Sequence, residues 1–511
     1  MNPSSNLKRD RLIRSVIKGA GVTALGMIMS RLFGYGIRVL LARSLAPEGY
    51  GQIGIANSFL AIIGMITLLG IPTALTRQIA LHRVRQDKKA ENETIRSGLW
   101  ISVPLTFIFV CIVFYFSKWL AISVFHDEGL IPVFRLFAFI IPLFALDQLF
   151  GAILLGYQRV KAYTSIHDFF RFGLTLCLLF VFFQLFRPTS ILAAWAYFYG
   201  FLGAAFVYIL ITRKHLTGTF RLPHLRSETA KQLLHFSWPL VMSSLLWILV
   251  PRTDILMLGY FTTVHLVGIY NSAVPMAEFI SLFSRAFIPI FIPIFTGLVT
   301  QNKDQEIKEL YKLITRWILI VSIPMIWVIF IAAEQVIVFV FGSQYIEAAV
   351  PLQILACAYF IPLFVGPTSS FLTTLGKTKI ILYDTVFIYL LSVLLNLFLI
   401  PKYGLNGAAV ATTVSFICHR MLTLIQIYKF SKLHPFNLRY FKLFATGILS
   451  SVIFYIVLHQ YSKGVNDIVH FSLIFGITFI LYVLLLFVFR VFDEDDVMIF
   501  RSIWIRVTKS K

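Results

Sequence analysis

Long apolar runs alternate with short polar segments along the whole chain. The run LTLCLLFVFFQLF at residues 174–186 carries no charge and shows no alternation of apolar and polar positions. A membrane-spanning strand would alternate at every second residue, whereas a helix that crosses the bilayer needs about 20 apolar residues in succession. The pattern therefore predicts an all-α polytopic membrane protein with about 14 transmembrane helices.

The composition supports a membrane protein without bound metal. Hydrophobic residues make up 58% and charged residues 13% of the 511 positions, which leaves too little polar surface for a soluble protein of this size. Cys111, Cys177, Cys357 and Cys418 all lie in apolar runs, so we interpret them as packing residues. The histidines show no metal-ligand spacing, and we expect neither a metal site nor a cofactor.

The net charge of +22 is explained by membrane topology. Lys and Arg cluster at the N-terminus and in every second gap between apolar runs, while the other gaps hold few, such as Lys118 and Arg187. This asymmetry places both termini in the cytoplasm and makes the lipid bilayer, not nucleic acid, the expected partner. The gaps on the far side are short, which leaves no room for a catalytic domain there and indicates that the protein is not an enzyme.

Two pairs of similar segments indicate an internal repeat. FIIPLFALDQLFGAILLGYQR at 139–159 aligns without a gap with YFIPLFVGPTSSFLTTLGKTK at 359–379, and GYGQIGIANSF around Gly51 resembles VGIYNSAV around Gly268. An even number of predicted spans separates the copies, so the repeats are parallel. We predict an N-lobe of spans 1–6 at residues 1–217 and a C-lobe of spans 7–12 at 218–434. Two further spans and a cytoplasmic tail follow at 435–511.

Four arginines within predicted spans are candidates for a cationic substrate site: Arg31, Arg38, Arg252 and Arg285. A charge inside the hydrocarbon is costly and usually faces a cavity or a partner. Arg31 and Arg285 lie near span centres, beyond easy reach of water, and Arg38 shares a helical face with Arg31. For Arg38 and Arg252, which lie closer to span ends, snorkelling to the interface is the alternative; for Arg285 it is pairing with Glu278.

Acidic residues within spans are candidates for coupling transport to H⁺ or Na⁺. Asp147, Asp254 and Glu278 are such residues, because a buried carboxyl group can take up a proton or bind a cation. Asp168 lies three residues before Arg171, a spacing that predicts an ion pair within one helix.

Three motifs resemble the polysaccharide transporter branch of the MOP flippase superfamily, which includes the Wzx-type O-antigen and lipid-linked oligosaccharide flippases. They are RVLLARSLAPEGYGQIGIANSFLAIIGMITLLGIPTALTRQIA at 38–80, an LxxLGxxK element at 372–379 and YGLNGAAVATTVS at 403–415. The resemblance implies two six-helix lobes around a cationic cavity with alternating access. It also implies a polyprenyl-diphosphate-linked glycan as the substrate, and polysaccharide polymerase and assembly proteins as further partners.

The expected function is therefore the flipping of a lipid-linked precursor of a surface polysaccharide, such as lipopolysaccharide O-antigen. The expected location is the cytoplasmic membrane of a bacterium or archaeon. Two alternatives stay open. SRLFGYGIR at 30–38 is similar to the first span of peptidoglycan-precursor flippases, and the same superfamily contains multidrug–cation antiporters. The deepest charges here are basic, which disfavours cationic drugs as substrates.

Overall fold

A computed structural model describes residues 3–213, 246, 249–301, 303–435, 439–461 and 468–492. Within these ranges, the side chains of residues 3–25, 27–28, 283, 285–291, 293, 378, 439, 461 and 468–470 are not described. Every element in this part of the chain is helical, as the apolar runs predict.

Short turns join the elements from α1 to α7, and α8 is the next helix in the described residues. These helices are α1 (Pro3–Leu68), α2 (Ile71–Val84), α3 (Lys88–Trp119), α4 (Leu130–Gly156), α5 (Val160–Thr164), α6 (Arg171–Leu185), α7 (Ser190–Thr212) and α8 (249–261). One π-helical turn, Leu120–Val124, extends α3, and a second, Ser165–Phe170, joins α5 to α6.

The remaining elements are also helices. They are α9 (Val264–Phe279), α10 (Leu282–Thr300), α11 (Asp304–Phe341), α12 (Ala349–Phe360), α13 (Thr368–Thr374), α14 (Thr378–Ser431), α15 (Arg439–Tyr461) and α16 (Ile468–Val488). Two 3₁₀ turns, Ser343–Ala348 and Ile361–Val365, flank α12.

In the described part of the chain, 10 helices are long and apolar enough to cross a membrane. Three of them contain a break, at Ala46 (φ 56°) in α1, at Ala332 (φ −127°) in α11 and at Gly404 (φ 53°) in α14. The break in α14 is a hairpin, because a Cβ on Gly407 would lie 2.2 Å from the carbonyl oxygen of Leu399; a straight helix would separate these residues by about 12 Å. The chain is a multi-pass membrane protein. The number of fourteen spans and the side of the termini stay predictions.

The described helices form two compact units, one of Met1–Ser272 with Thr385–Ala411 and one of Ala273–Asp384 with Thr412–Lys511. In the first unit, Leu75 of α2, Leu149 of α4 and Tyr208 of α7 are fully buried in one apolar cluster. In the second unit, the trailing helices pack on α11. There the Trp327 ring contacts those of Phe454 and Tyr482, and the Tyr482 hydroxyl donates to the Ile320 carbonyl at 2.9 Å. The predicted lobe boundaries stay predictions, and residue 217 lies outside the described residues.

The two copies of the IPLF segment fold differently in their middle and alike at their end. The first copy is continuous within α4, whereas the second breaks into a 3₁₀ turn at Ile361–Val365 before Gly366 (φ 73°) and Pro367. Both copies end in a tight turn whose amide reaches back five residues, from Arg159 to Leu154 and from Lys377 to Leu372.

The other repeated pair is in direct contact. A Cβ on Gly51 would lie 2.0 Å from the Val264 carbonyl oxygen, and one on Gly268 would lie 1.8 Å from that of Pro47. The second part of α1 therefore crosses α9 with backbone against backbone, at the two glycines that the repeat aligns. The Tyr50 hydroxyl, 3.3 Å from the Asn271 carbonyl oxygen, adds a hydrogen bond to this crossing.

Candidate functional site

One face of α1 packs on the neighbouring helix, and the opposite face carries arginines. The Phe33 ring contacts the Phe169 ring edge-on, and Gly36 approaches Leu176 of α6. Arg31 and Arg38 lie seven residues apart, only about 20° from each other around the helix and away from that packed face. The Arg31 side chain is exposed, and among the described residues no heavy atom lies within 4 Å of a Cβ built on Gly34. Within the described part of this unit, the face of α1 at Arg31 and Gly34 is therefore open.

Arg38 and Arg252 both lie within electrostatic range of one tyrosine, Tyr197. The partly buried Tyr197 of α7 shares a hydrogen bond with the Asn57 side chain of α1, and the charges of Arg38, Arg171 and Arg252 all act on its phenol. Three arginines, from α1, α6 and α8, thus lie within electrostatic range of one polar side chain. Two of them are sequence-predicted site residues.

Three members of this site were not predicted as site residues from the sequence. Tyr197 lies among other aromatic residues in an apolar run. Asn57 and Ser58 are two adjacent polar residues in another apolar run. Arg171 was expected to pair with Asp168, but its Nη1 instead donates to Asp147 of α4 at 3.2 Å. That partner lies 24 residues away in the chain, a contact that helical spacing cannot reveal.

Of the two other candidate arginines, the side chain of Arg31 is described and that of Arg285 is not. Arg31 lies on the same open face as Arg38, as expected, and its cavity role stays a prediction. The side chain of Arg285 lies outside the described part of the chain, so neither its place in the site nor its pairing with Glu278 is tested.

Asp147 is the centre of a buried polar cluster. It is fully buried in α4, and its Oδ2 lies 2.9 Å from Nδ1 of His167 and 3.2 Å from Nη1 of Arg171. His167 and Asp168 belong to the π-helical turn Ser165–Phe170. Such wide turns are frequent at functional sites because the extra residue redirects the side chains that follow.

Aromatic rings hold the two basic members of this cluster. The Arg171 guanidinium lies 4.6 Å from the centroid of Phe172 and 4.8 Å from that of Phe201 of α7. Tyr163 stacks on His167 with centroids 5.1 Å apart. These contacts keep a cation in an apolar setting, where ring faces partly replace water.

Asp254 is held in a second polar group within the same unit. Asn396 of α14 donates from Nδ2 to Asp254 Oδ1 at 3.0 Å and to Ser392 Oγ at 3.3 Å. All three side chains are buried, and Asn396 Oδ1 has no hydrogen-bond partner among the residues that the structure describes. This group can hold α8 against α14, and its oxygen atoms are of the kind that a monovalent cation prefers.

Glu278 lies in the other unit, at the end of α9. The Tyr359 hydroxyl lies 3.5 Å from its Oε1, the long limit of a hydrogen bond. Among the described residues, no group of three or more His, Cys, Asp or Glu side chains could hold a metal ion. In the first unit, the arginines near Tyr197 provide fixed positive charge for an anion. The buried carboxyl groups of Asp147 and Asp254 provide oxygen atoms for a small cation.

Known proteins of similar sequence are named for glycan transport or sporulation. A Shigella flexneri protein named for O-antigen transport is 24% identical over 76% of this chain and 94% of its own length. The "Probable low-salt glycan biosynthesis flippase" of Haloferax volcanii is 23% identical over 78% of this chain and 82% of its own. The "Stage V sporulation protein B" of Bacillus subtilis is 22% identical over 94% and 97%.

Solved structures show the same fold at low identity. A multidrug resistance MATE transporter of the MOP superfamily, in an inward-facing conformation, has a TM-score of 0.67 at 14% identity and covers 80% of this chain and 98% of its own. The lipid II flippase MurJ, in an inward closed conformation, also has a TM-score of 0.67 at 14% identity, over 90% and 97%.

The family itself is shown by the sequence. The profile of the family described as "Polysaccharide biosynthesis protein" matches residues 16–299, more than half of the chain. This range begins within α1 and ends within α10, and it therefore includes Arg38, Arg171, Arg252, Tyr197 and the Asp147 cluster. The chain belongs to this family, in the polysaccharide transporter branch of the MOP superfamily, and is a transporter and not an enzyme.

Proposed function

We propose that this protein flips a polyprenyl-diphosphate-linked oligosaccharide, a precursor of a surface polysaccharide, across the cytoplasmic membrane by alternating access. The observation that carries the proposal is that three arginines from three different helices, Arg38, Arg171 and Arg252, lie within electrostatic range of Tyr197. A diphosphate is the part of such a substrate that needs fixed positive charge away from water. Arginine suits this role because its planar guanidinium donates paired hydrogen bonds to phosphate oxygens.

The relatives support this class of substrate. Two of them are named for O-antigen transport and for glycan flipping, and they align with most of this chain. A peptidoglycan precursor is the second candidate, because it carries the same diphosphate and the MurJ fold covers 90% of the chain. Cationic drugs fit less well, since their charge would be repelled by three neighbouring arginines.

Ion coupling through an intramembrane carboxyl group is part of the proposal. Among Asp147, Asp254 and Glu278, Asp147 is favoured because it lies beside Arg171, one of the three arginines around Tyr197. The polymerase and assembly proteins of the polysaccharide are proposed partners.

Binding by the purified full chain in nanodiscs tests the anion site. The probes are undecaprenyl diphosphate and undecaprenol, which differ only in the diphosphate. We expect the diphosphate to bind at least tenfold tighter, and Arg38→Ala and Arg252→Ala to weaken it by about 10- to 100-fold each. Arg187→Ala is the matched control, because Arg187 is exposed in the turn between α6 and α7. Equal binding of the two probes would refute the anion site.

Transport is tested separately in proteoliposomes. Fluorescent undecaprenyl-diphosphoryl-N-acetylglucosamine is reconstituted with the protein, and a membrane-impermeant reductant reports the fraction that is in the outer leaflet. We expect exchange between leaflets under an imposed pH gradient in wild type and in Arg187→Ala. Exchange no faster than in protein-free liposomes, under any imposed gradient, would overturn flipping as the function.

A further inference from the structure

We propose that α3 and α4, near the turn at residues 120–129 that joins them, bind the phosphate group of an anionic phospholipid through Arg135 and Lys118. The ligand is a lipid of the surrounding bilayer and not the transported glycan. The proposal therefore goes beyond the proposed function and does not depend on it. Neither cation is among the arginines that act on Tyr197.

Arg135 lies on a narrow exposed strip of a largely buried helix. The exposed residues of α4 within positions 130–141 are Arg135 and Phe139, which lie four residues apart and therefore on one face. The Phe139 ring is 48% exposed and contacts the Phe114 ring of α3, with the ring centroids 5.8 Å apart. In a multi-pass membrane protein, exposed apolar rings of this kind mark a lipid-facing surface.

Two contacts fix the orientation of the Arg135 guanidinium. Its Nε donates to Oγ of Ser117 at 3.3 Å, and that hydroxyl donates to the Phe114 carbonyl oxygen at 2.7 Å. The guanidinium carbon lies 5.5 Å from the centroid of the Phe114 ring, a cation–π contact. Because Nε is directed at Ser117, the edge that carries the two Nη atoms points away from α3. This edge can donate paired hydrogen bonds to two oxygens of one phosphate.

A second cation borders the same ring. Lys118 follows Phe114 by four residues, which places it on the same face of α3, one turn nearer to the end of the helix. Lys118 is exposed. In the part of the chain that the structure describes, neither Lys118 nor Arg135 takes part in an ion pair. Charges at the edge of the hydrocarbon are stabilised by an opposite charge, and a lipid phosphate provides one.

The site lies at the depth expected for lipid phosphates. Ser117 precedes Val124, the end of the helical stretch, by about 10 Å, and Arg135 follows the start of α4 by about 8 Å. Tyr115 and Trp119 are 82% and 56% exposed, and such side chains are enriched at the membrane–water interface. A resident phospholipid can reach this open strip by lateral diffusion, with its acyl chains along the apolar surface of α3.

The first arm of the test measures which lipid occupies this surface. Cys111 is exposed on α3 and lies seven residues before Lys118, on nearly the same helical face. After replacement of the other three cysteines by alanine, a fluorophore on Cys111 reports quenching by nitroxide-labelled lipids in nanodiscs of the full chain. The probes are phosphatidylglycerol and phosphatidylcholine with the same labelled acyl chain, in a phosphatidylcholine bilayer.

We expect phosphatidylglycerol to associate about five- to tenfold more strongly than phosphatidylcholine. Arg135→Gln should remove most of this preference, and Lys118→Gln should reduce it about two- to threefold. Arg135→Lys keeps the charge without the planar fork, so it should keep part of the preference. Arg187→Gln is the matched control. It removes an exposed cation from the turn between α6 and α7, on the predicted side of Lys118, and should behave like wild type.

Equal quenching by the two lipids in the wild-type protein would overturn the proposal. An equal loss of preference in Arg135→Gln and Arg187→Gln would also overturn it, because that result would assign the effect to net charge alone. Size-exclusion chromatography checks that each variant is folded. If Arg135→Gln does not fold, Arg135→Lys and Lys118→Gln provide the same comparison with the control.

A competition arm separates the resident phospholipid from the transported lipid. Unlabelled undecaprenyl diphosphate should relieve the quenching no better than unlabelled phosphatidylglycerol at the same mole fraction. Relief at about one tenth of that mole fraction would overturn the phospholipid assignment. Failure of undecaprenyl diphosphate to bind at the arginines near Tyr197 would refute the proposed function and leave the phospholipid site standing.

Discussion

At the scale of single residues, the polar atoms around Tyr197 carry the most information about substrate. The hydroxyl group of Tyr197 is hydrogen-bonded to the Asn57 side chain and lies within electrostatic range of three arginines. Removal of this hydroxyl group takes away one hydrogen-bond donor to a phosphate oxygen and leaves the aromatic ring in place. The expected effect is that of a single hydrogen bond, about 1 kcal/mol.

Tyr197→Phe should therefore weaken undecaprenyl diphosphate about three- to tenfold and leave the amount of folded protein unchanged. Tyr199→Phe is the control, because Tyr199 lies two positions further on α7, is exposed and stacks on Trp195. The measurement is a binding titration of both variants in nanodiscs. An equal loss in the two would show that the hydroxyl of Tyr197 has no special role.

Asp254 and Asn396 make a second residue-scale prediction, which concerns stability. Asp254→Leu removes the carboxylate that accepts a hydrogen bond from the buried Asn396 side chain. This should lower the free energy of unfolding by about 1–3 kcal/mol. Thermal denaturation in detergent, followed by size-exclusion chromatography, should show a lower midpoint for Asp254→Leu. Exposed Glu48→Leu is the comparison, and we expect it to melt like wild type.

At the scale of elements, the contact between α1 and α9 is the tightest constraint. Both glycines that the repeat aligns face backbone atoms of the opposite helix, which cannot move aside as a flexible side chain can. Gly268→Ala should therefore destabilise the protein by about 1–3 kcal/mol or prevent its folding. Gly297→Ala in α10 is matched to it, because a Cβ there meets no atom of the described residues within 4 Å. Equal melting temperatures of the two variants would contradict the close crossing.

The helices show what sequence patterns can and cannot predict. Apolar runs and repeats predicted the helical class, and the second repeat singled out Gly51 and Gly268. They did not show that these glycines touch, because a repeat records likeness and not proximity. The same limit applies to Arg171. Its spacing from Asp168 predicted a pair within a regular helix, but the wide turn at Ser165–Phe170 changes the register and places Arg171 against Asp147.

At the scale of the whole molecule, the distribution of charge predicts which ends of the helices face the cytoplasm. Helix α3 runs from Lys88 to Trp119, about 48 Å, which is enough to cross a bilayer. Helix α4 returns the chain to Arg159, and α6 leads it back to Arg187. If these helices span the membrane, Lys88 and Arg159 lie on one side and Lys118 and Arg187 on the other. The positive-inside rule assigns the first pair to the cytoplasm.

Single-cysteine labelling can test this topology, since all four positions are exposed. After replacement of the four native cysteines, Lys118→Cys and Arg187→Cys should react with a membrane-impermeant maleimide in intact cells. Lys88→Cys and Arg159→Cys should react only after the membrane is permeabilised. The reverse pattern would refute the orientation but keep the spans, whereas equal reactivity of Lys88→Cys and Lys118→Cys in intact cells would mean that α3 does not cross. Because His167 and Arg171 lie between Arg159 and Arg187, the result also fixes the orientation of the segment that holds them.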